Sequence, residues 1–373
     1  MIQRKLVTAI QERMFQGKVI LLMGPRQVGK TTILQMLFPN SDDVLWLNGD
    51  ELATHRQLQE PSAERFRLLL GNKRVLVIDE AQRIDDIGLK LKILVDGLRD
   101  VQIIATGSSS FELANLMNEP LTGRKWEFRL FPLSYSELCD HLGVWEEHQL
   151  LQHRLVYGYY PEIINNPGDE IPRLGLLADS YLYRDIFHLE NILKTQKFDL
   201  LLQALAYQIG SQVSYNELAQ ICGLDAKTVE RYIDLLEKGF VVFRLGSYST
   251  NLRNELKKSR KIYFYDNGIR NAILGSFEPF ESRTDRGALW ENFLVSDRLK
   301  RNAYANFRPA SYFWKNTAHK EVDYLEMSKG ELHAYEFKWK GGDKVRLPLA
   351  FSRAYPDAKF SVVDRDNAME FLL

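Results

Sequence analysis

Residues 18–32 read KVILLMGPRQVGKTT, and this stretch decides the fold of the first half of the chain. The run up to Met23 is continuously apolar, as a strand buried on both faces of a sheet requires. It ends in a GxxxxGK[ST] pattern, and ILQMLF (33–38) continues it with helical spacing. Strand, glycine-rich turn and helix are the context in which this pattern cradles phosphate. Gly24 and Gly29 let the backbone curl so that loop N–H groups face an anion, and the following helix points its positive end at the same charge. The expected cofactor-binding set is therefore Gly24, Pro25, Arg26, Gln27, Val28, Gly29, Lys30, Thr31 and Thr32. Lys30 is expected to reach the outer phosphates and Thr31 to hold Mg²⁺ through its hydroxyl, with ATP as the ligand.

Working outward, RVLVIDE (74–80) is an apolar strand ending in two acids. Asp79 at its tip suits Mg²⁺, and Glu80 suits the polarising of an attacking water, which favours hydrolysis over transfer to a small molecule. VLWLN (44–48) reads as another strand, and VQIIATGSSS (101–110) as a strand ending in hydroxyls. That strand resembles the sensor strand of AAA-type ATPases. Thr106, Ser108 and Ser109 are its candidates and Ser108 the preferred one; the competing reading is a serine-rich turn in which Ser110 caps the segment FELANLM. LTGRKWEFRLFPLSYSEL (121–138) resembles the trans-acting or switch arginine region of the same ATPases, with Arg124 as the candidate arginine finger, against the plainer reading of a surface ion pair.

The chain has 373 residues, enough for two or three domains of ordinary size. Forty-nine basic side chains balance forty-nine acidic ones, so a strongly basic nucleic-acid binder is excluded, although a local basic face is not. Cys139 and Cys222 are far apart and form no CxxC pair, which argues against a metal cage or disulfide framework. The opening MIQRKLVTAIQERMF is amphipathic, with a helix expected over 3–16, and it lacks a signal peptide's apolar core. No run approaches the roughly 20 apolar residues of a membrane span. A cytoplasmic protein with no membrane partner is expected.

Residues 141–195 read as helices broken by GYYPEIINNPGDEIP (158–172), with Tyr159, Tyr160 and Pro161 expected to pack this connector against the first domain. Then SQVSYNELAQICGLDAKTVERYIDLLEKGFVVFRL (211–245) gives two short helices and a strand, a winged helix-turn-helix rhythm. Ser214 and Glu217 form a capping pattern, Gly223 ends the first helix, and Val229, Ile233 and Leu236 stripe the second. Lys227, Thr228, Arg231 and Tyr232 are expected on its polar side, open to DNA, with NELKKSRK (254–261) as a flanking basic run and Asp225, Glu230, Asp234 and Glu237 blunting it. Further on, a helix over 287–301 precedes strands at 311–315, 319–327 and 331–340. Glu336 and Lys338 lie two apart on one strand face, Asp323 on the strand before, and Glu291 on the helix. A carboxylate followed by Glu-x-Lys looks like the PD-(D/E)xK nuclease core, where Asp323 and Glu336 would bind divalent ions and Lys338 stabilise charge.

GPRQVGKTT, VLVIDEAQ, ATGSSS, LTGR with FPLSYSEL, KIYFYDNG, and ALWENF through EVDYLE to YEFKWK occur in an order that spans nearly the whole chain. In this the sequence resembles a prokaryotic AAA-type P-loop ATPase family whose C-terminal domain of unknown function is related to the PD-(D/E)xK fold. The resemblance implies ATP and Mg²⁺ binding. It also implies an α/β chain: an AAA/ASCE-type P-loop NTPase domain (1–140), a helical connector (141–200), a winged helix-like domain (201–275) and a restriction-endonuclease-like α/β domain (276–373). Self-association is among the expected partners, but no clear second sensor arginine follows in a helical lid, so a hexameric ring is not assumed. Three functional readings stay open: an ATPase with a DNA-related task, an ATP-dependent switch binding protein partners, and an ATP-gated nuclease. A positive stripe joining Arg231, Lys257, Lys258 and Lys338 would favour DNA.

Overall fold

The computed structural model describes residues 1–108, 121–179, 195–249, 260–341 and 345–373. Ser109, Ser110, Lys257, Lys258 and most of NELKKSRK lie outside the described residues. In the first half, β1 (Val19–Met23), β2 (Val44–Asn48), β3 (Val75–Asp79), β4 (Gln102–Gly107) and β5 (Lys125–Arg129) form one sheet in the order β2-β3-β4-β1-β5. Every pairing in it is parallel. Strands covered on both faces must be apolar throughout, and β1 and β4 are buried at every position. The edge strand β5 alternates instead between half-buried and exposed residues.

This order positions the site. At β1 the strand order reverses, with β4 on one side and β5 on the other, and open parallel sheets bind ligands outside the carboxyl ends of strands at such a point. Because β4 lies between β1 and β3, its Thr106 comes between the loop after β1 and the acids ending β3. The N-terminal helix is shorter than its amphipathic pattern suggests, running only over Leu6–Gln11. Phe15 turns left-handed (φ 57°) and donates its N–H to Gln102 Oε1 at 2.6 Å, so a partner from β4 replaces the next helical turn.

In the second half, β6 (Gln212–Val213), β7 (Val242–Ser247), β8 (Arg260–Phe264), β9 (Ala310–Lys315), β10 (Glu321–Ser328), β11 (Glu331–Phe337) and β12 (Lys359–Val363) form a single seven-stranded sheet, ordered β12-β11-β10-β9-β7-β8-β6. β7 joins β9 in parallel through Gly246↔Tyr312 and Ser247↔Phe313. The boundary expected at 275/276 therefore falls inside one continuous sheet.

Ser214 caps the helix Tyr215–Cys222, Gly223 ends it, and Asp225 caps the helix Ala226–Lys238, as the sequence indicates. The polar face of that second helix differs from expectation. Tyr232 is buried edge-on against Phe198, with ring centroids 5.3 Å apart, and the Thr228 hydroxyl donates to Asp225 at 2.7 Å. Asp234 and Glu237 bind Arg244, and Glu230 lies 3.8 Å from Arg260. These acids answer strand arginines rather than blunting a basic surface.

The helix Arg286–Tyr304 joins the two halves. Its Leu289, Trp290 and Leu294 are fully buried, and its last turns dock on the turn after β5. Asp297 accepts the Tyr135 N–H at 2.9 Å, Lys300 donates to the Leu133 carbonyl at 3.1 Å, and the Tyr304 hydroxyl accepts the Phe131 N–H at 3.1 Å. The connector packs at the same joint: Leu133 N–H donates to the Tyr159 carbonyl at 2.9 Å, and the Tyr159 ring stacks on Phe293 at 5.5 Å.

Candidate nucleotide site

The loop after β1 takes its shape from two glycines. A Cβ on Gly24 would lie 2.2 Å from the Leu130 carbonyl oxygen, and Gly29 sits at φ 92°, a left-handed conformation that side chains resist. Between them Gln27 is also left-handed, at φ 60°. The helix Lys30–Leu37 starts directly from Gly29, with no side chain capping its first turn. The orphan N–H groups of that turn form an anion seat. Lys30 is buried, and its ammonium donates to the carbonyls of Gly24 and Pro25, 2.9 Å each.

Across the crevice, the Thr31 hydroxyl donates to Asp79 Oδ2 at 3.2 Å. The other Asp79 oxygen accepts from Thr106 Oγ1, and Thr106 Oγ1 also accepts the Glu80 N–H at 3.3 Å. Glu80 itself is left-handed (φ 49°), a strained conformation for a non-glycine residue. A hydroxyl and a carboxylate this close make the hard-oxygen donor set that Mg²⁺ prefers, so the residues present fit the ion.

Ser108 lies near this site, but its hydroxyl is engaged through a residue the sequence reading passed over. Gln82 Nε2 donates to Glu80 Oε2 at 2.6 Å and to Ser108 Oγ at 3.2 Å, bridging the expected base and the expected sensor. Gln82 Oε1 is buried and has no hydrogen-bond partner among the described residues. The signal was present in DEAQ: an amide two residues beyond Glu80, on the short turn Ala81–Arg83.

Arg124 takes the plainer of its two expected placements, a surface ion pair. It precedes β5 at the amino end of the sheet, whereas the phosphate loop leaves the carboxyl end of β1. A five-residue strand separates the two ends by roughly 16 Å. There Arg124 Nε pairs with Asp96 at 2.8 Å, both side chains half exposed. Within one chain it does not reach the phosphate site.

A buried arginine that no motif signalled ties the loop to the rest of the molecule. Arg4 donates to the Val28 carbonyl in the phosphate loop (2.6 Å), to the Phe131 carbonyl (2.7 Å), to Glu137 (3.0 Å) and to the Tyr304 hydroxyl (3.2 Å). The loop backbone is thus bonded through one guanidinium to the helix that carries Glu291.

The C-terminal acids do come together, around two residues not singled out from sequence. Lys261 on β8 is almost fully buried and pairs with Glu291 at 2.9 Å and Glu321 at 2.5 Å. The Tyr263 hydroxyl donates to Glu291 at 2.7 Å. Asp323 accepts the Phe337 N–H at 2.9 Å, and Lys338 donates to Glu336 at 2.9 Å. Burial pushes the Glu291 carboxyl up to about 7 against the pull of Lys261. Burial likewise raises Asp323, and burial plus the Asp323 charge raises Glu336. Burial alone would lower Lys261, but the charges of Glu291, Glu321 and Asp323 outweigh it and hold the ammonium protonated. Among the described residues no three His, Cys, Asp or Glu side chains are grouped so as to hold a metal ion. Lysine is the counterion of this cluster.

Sheet order, phosphate loop and acid pair define a parallel α/β domain of the P-loop type. Residues 16–139 match the family model described as AAA domain. Residues 148–279 and 286–371 match two models described as domains of unknown function, DUF8612 and DUF4143. Two proteins described as uncharacterized, from Mycobacterium tuberculosis and Mycobacterium bovis, are each 27% identical over 344 residues, covering 90% of this chain and 74% of theirs. One from Methanocaldococcus jannaschii is 26% identical over 300 residues, covering 69% of this chain and 62% of its own. In fold, the chain is similar to a Walker-type ATPase of Pyrococcus abyssi, with a TM-score of 0.54 at 16% identity over 74% of this chain and 96% of that one. No helix among the described residues is long and apolar enough to cross a membrane.

Proposed function

We propose that the chain binds Mg²⁺–ATP at residues 24–32 and hydrolyses it. The observation that carries this reading is the Thr31–Asp79 hydrogen bond at 3.2 Å, which joins the phosphate loop to the acid that ends β3. In this reading Lys30 exchanges the Gly24 and Pro25 carbonyls for phosphate oxygens, and Thr31 and Asp79 hold Mg²⁺. The ion, when bound, neutralises charge on the outer phosphates. Glu80 accepts a hydrogen bond from the attacking water, with Gln82 holding its carboxylate and Ser108 in one arrangement. The test is phosphate release from ATP by the purified chain, with Mg²⁺ and with EDTA. Release that needs Mg²⁺ and falls in Thr31→Ala and Asp79→Asn supports the reading. Release unchanged in both variants overturns it.

A second reading gives the C-terminal half a DNA-related task, supported by the helix–turn–helix–strand run of residues 215–247 and by the gathering of Glu291, Asp323, Glu336 and Lys338 at one place. The proposed basic stripe gains little support, since Lys338 is held by Glu336. Incubation with plasmid DNA, ATP and Mg²⁺ or Mn²⁺ separates the alternatives. Cuts lost in Asp323→Ala make this an ATP-linked nuclease. DNA retardation without cuts favours a DNA-bound ATPase. Neither result leaves the switch with protein partners.

A further inference from the structure

A cavity with no residue of the phosphate loop in its lining lies where the two halves of the chain meet. Its volume is about 550 Å³, within the range that small ligands fill. The N-terminal helix, β5, β7, the helix Arg286–Tyr304 and the approach to β9 all contribute to its wall. Phe128, Phe243 and Phe307 give it an apolar surface, and four arginines and two glutamates line it.

The charges do not cancel. Arg244 is bound by Asp234 and Glu237, and Glu127 by Lys125. Arg13, Arg129 and Arg308 have no carboxylate partner among the described residues, against the single remaining acid Glu12. Arg13 is held instead on the face of Trp126, 4.6 Å from the ring centroid, which leaves its N–H donors uncommitted to an acid. Lys18 approaches the same ring at 4.3 Å and adds to the positive potential. The Trp126 Nε1 is itself buried without a hydrogen-bond partner among the described residues. Unpaired guanidinium groups over an apolar wall fit a ligand with a flat apolar body and an anionic head, which arginine holds in a fork of N–H donors.

We propose that this cavity is a binding site for a small aromatic carboxylate, separate from the nucleotide site. Because its walls come from both halves of the chain, an occupant holds them together and stabilises the folded state. The proposal stands independently of ATP hydrolysis.

The test uses the full chain, with 2-naphthoate as probe and the neutral 2-naphthamide as its control, followed by calorimetric titration and thermal unfolding. Naphthoate is expected to bind and raise the unfolding midpoint, with the amide about tenfold weaker or more. That factor corresponds to about 1.4 kcal/mol, one charge-assisted contact. Arg129→Ala and Arg308→Ala, both at exposed positions, should each weaken naphthoate about tenfold and leave the amide unchanged. Phe307→Ala should weaken both probes, and Lys30→Ala neither. Equal affinity for acid and amide, loss of naphthoate binding in Lys30→Ala, or no binding at millimolar naphthoate would each overturn the proposal.

Discussion

Lys30 and Lys261 are both buried ammonium groups, and the protein neutralises them by different means. Lys30 is met by the carbonyls of Gly24 and Pro25, which are dipoles. Lys261 is met by Glu321, a full charge, and by Glu291, which becomes one as it ionises near pH 7. A phosphate oxygen outcompetes a carbonyl for an ammonium, because a charge-assisted hydrogen bond is roughly twice as strong as a neutral one. It has no such advantage over two carboxylates. The first lysine can exchange those carbonyls for a ligand and the second is held by carboxylates, so ATP binding should depend on the first and stability on the second.

The largest effect is expected at Lys30. Lys30→Ala removes a side-chain cation that the loop is expected to direct at the outer phosphates, and ATP affinity should fall about a hundredfold or more, roughly 2.7 kcal/mol. Titration calorimetry or a fluorescent nucleotide reads this directly. Retained affinity would make the two lysines equivalent and dissolve the contrast. Next is Glu80→Gln, which keeps the side chain's shape and removes its basicity. Binding should persist while turnover falls by about a hundredfold. An unchanged turnover would assign water activation elsewhere.

Gln82 sharpens the comparison. It bridges Glu80 and Ser108 on the ligand-facing side, much as Lys261 bridges Glu291 and Glu321 in the C-terminal cluster. Gln82 is a positioning residue, so its loss should act on the chemical step. Gln82→Ala is expected to lower kcat about tenfold with KM nearly unchanged, and Gln82→Asn to recover part of it. A rise in KM at constant kcat would instead assign Gln82 to nucleotide binding.

The nucleotide half was the more legible from sequence, for a physical reason. Parallel strands buried on both faces are contiguous apolar runs, and the phosphate loop is a local motif, so β1, β3 and β4 with Lys30, Thr31 and Asp79 could be read without knowing what packs where. Of the two readings given to Arg124, its ion pair with Asp96 matches the plainer one, and strand direction limits the other: a residue just before a parallel strand lies at the end of the sheet away from the phosphate loop, so an arginine finger there would have to serve a second copy of the chain. Tyr232 went astray because the apolar stripe set by Val229, Ile233 and Leu236 is wide enough to take in its neighbour once Phe198 packs there. Arg4 and Lys261 had no local signal at all. Their partners lie 24 to 300 residues away for Arg4 and 30 away for the Lys261–Glu291 bond, and such pairings are decided only by tertiary structure.

The smallest effect expected is in the pH dependence of stability, and it belongs to the satisfied cluster. Burial raises Glu291 from an ordinary 4.5 to about 7, so between those values the folded protein holds a proton that the unfolded chain has released. Its contribution is therefore fully present below about 4.5 and is lost as pH rises through about 7. Glu147, raised to about 7, and Asp297, raised to about 6, act in the same sense, in both cases chiefly through burial. Glu326 acts oppositely: its bonds to Arg298 outweigh its burial and lower it, so it favours folding above its ordinary value and weakens in acid. The informative window is consequently pH 5 to 7.5, above the Glu326 transition. Glu291→Gln cannot titrate, and Lys261 keeps Glu321 as a partner. The wild-type unfolding free energy should fall between those two pH values, and the variant's should fall less, by an amount of order 1 kcal/mol, read from denaturant titrations at the two pH values. An identical slope in the two proteins would mean that Glu291 stays ionised beside Lys261 throughout this range, and that the cluster is held by its ion pairs rather than by a shared proton.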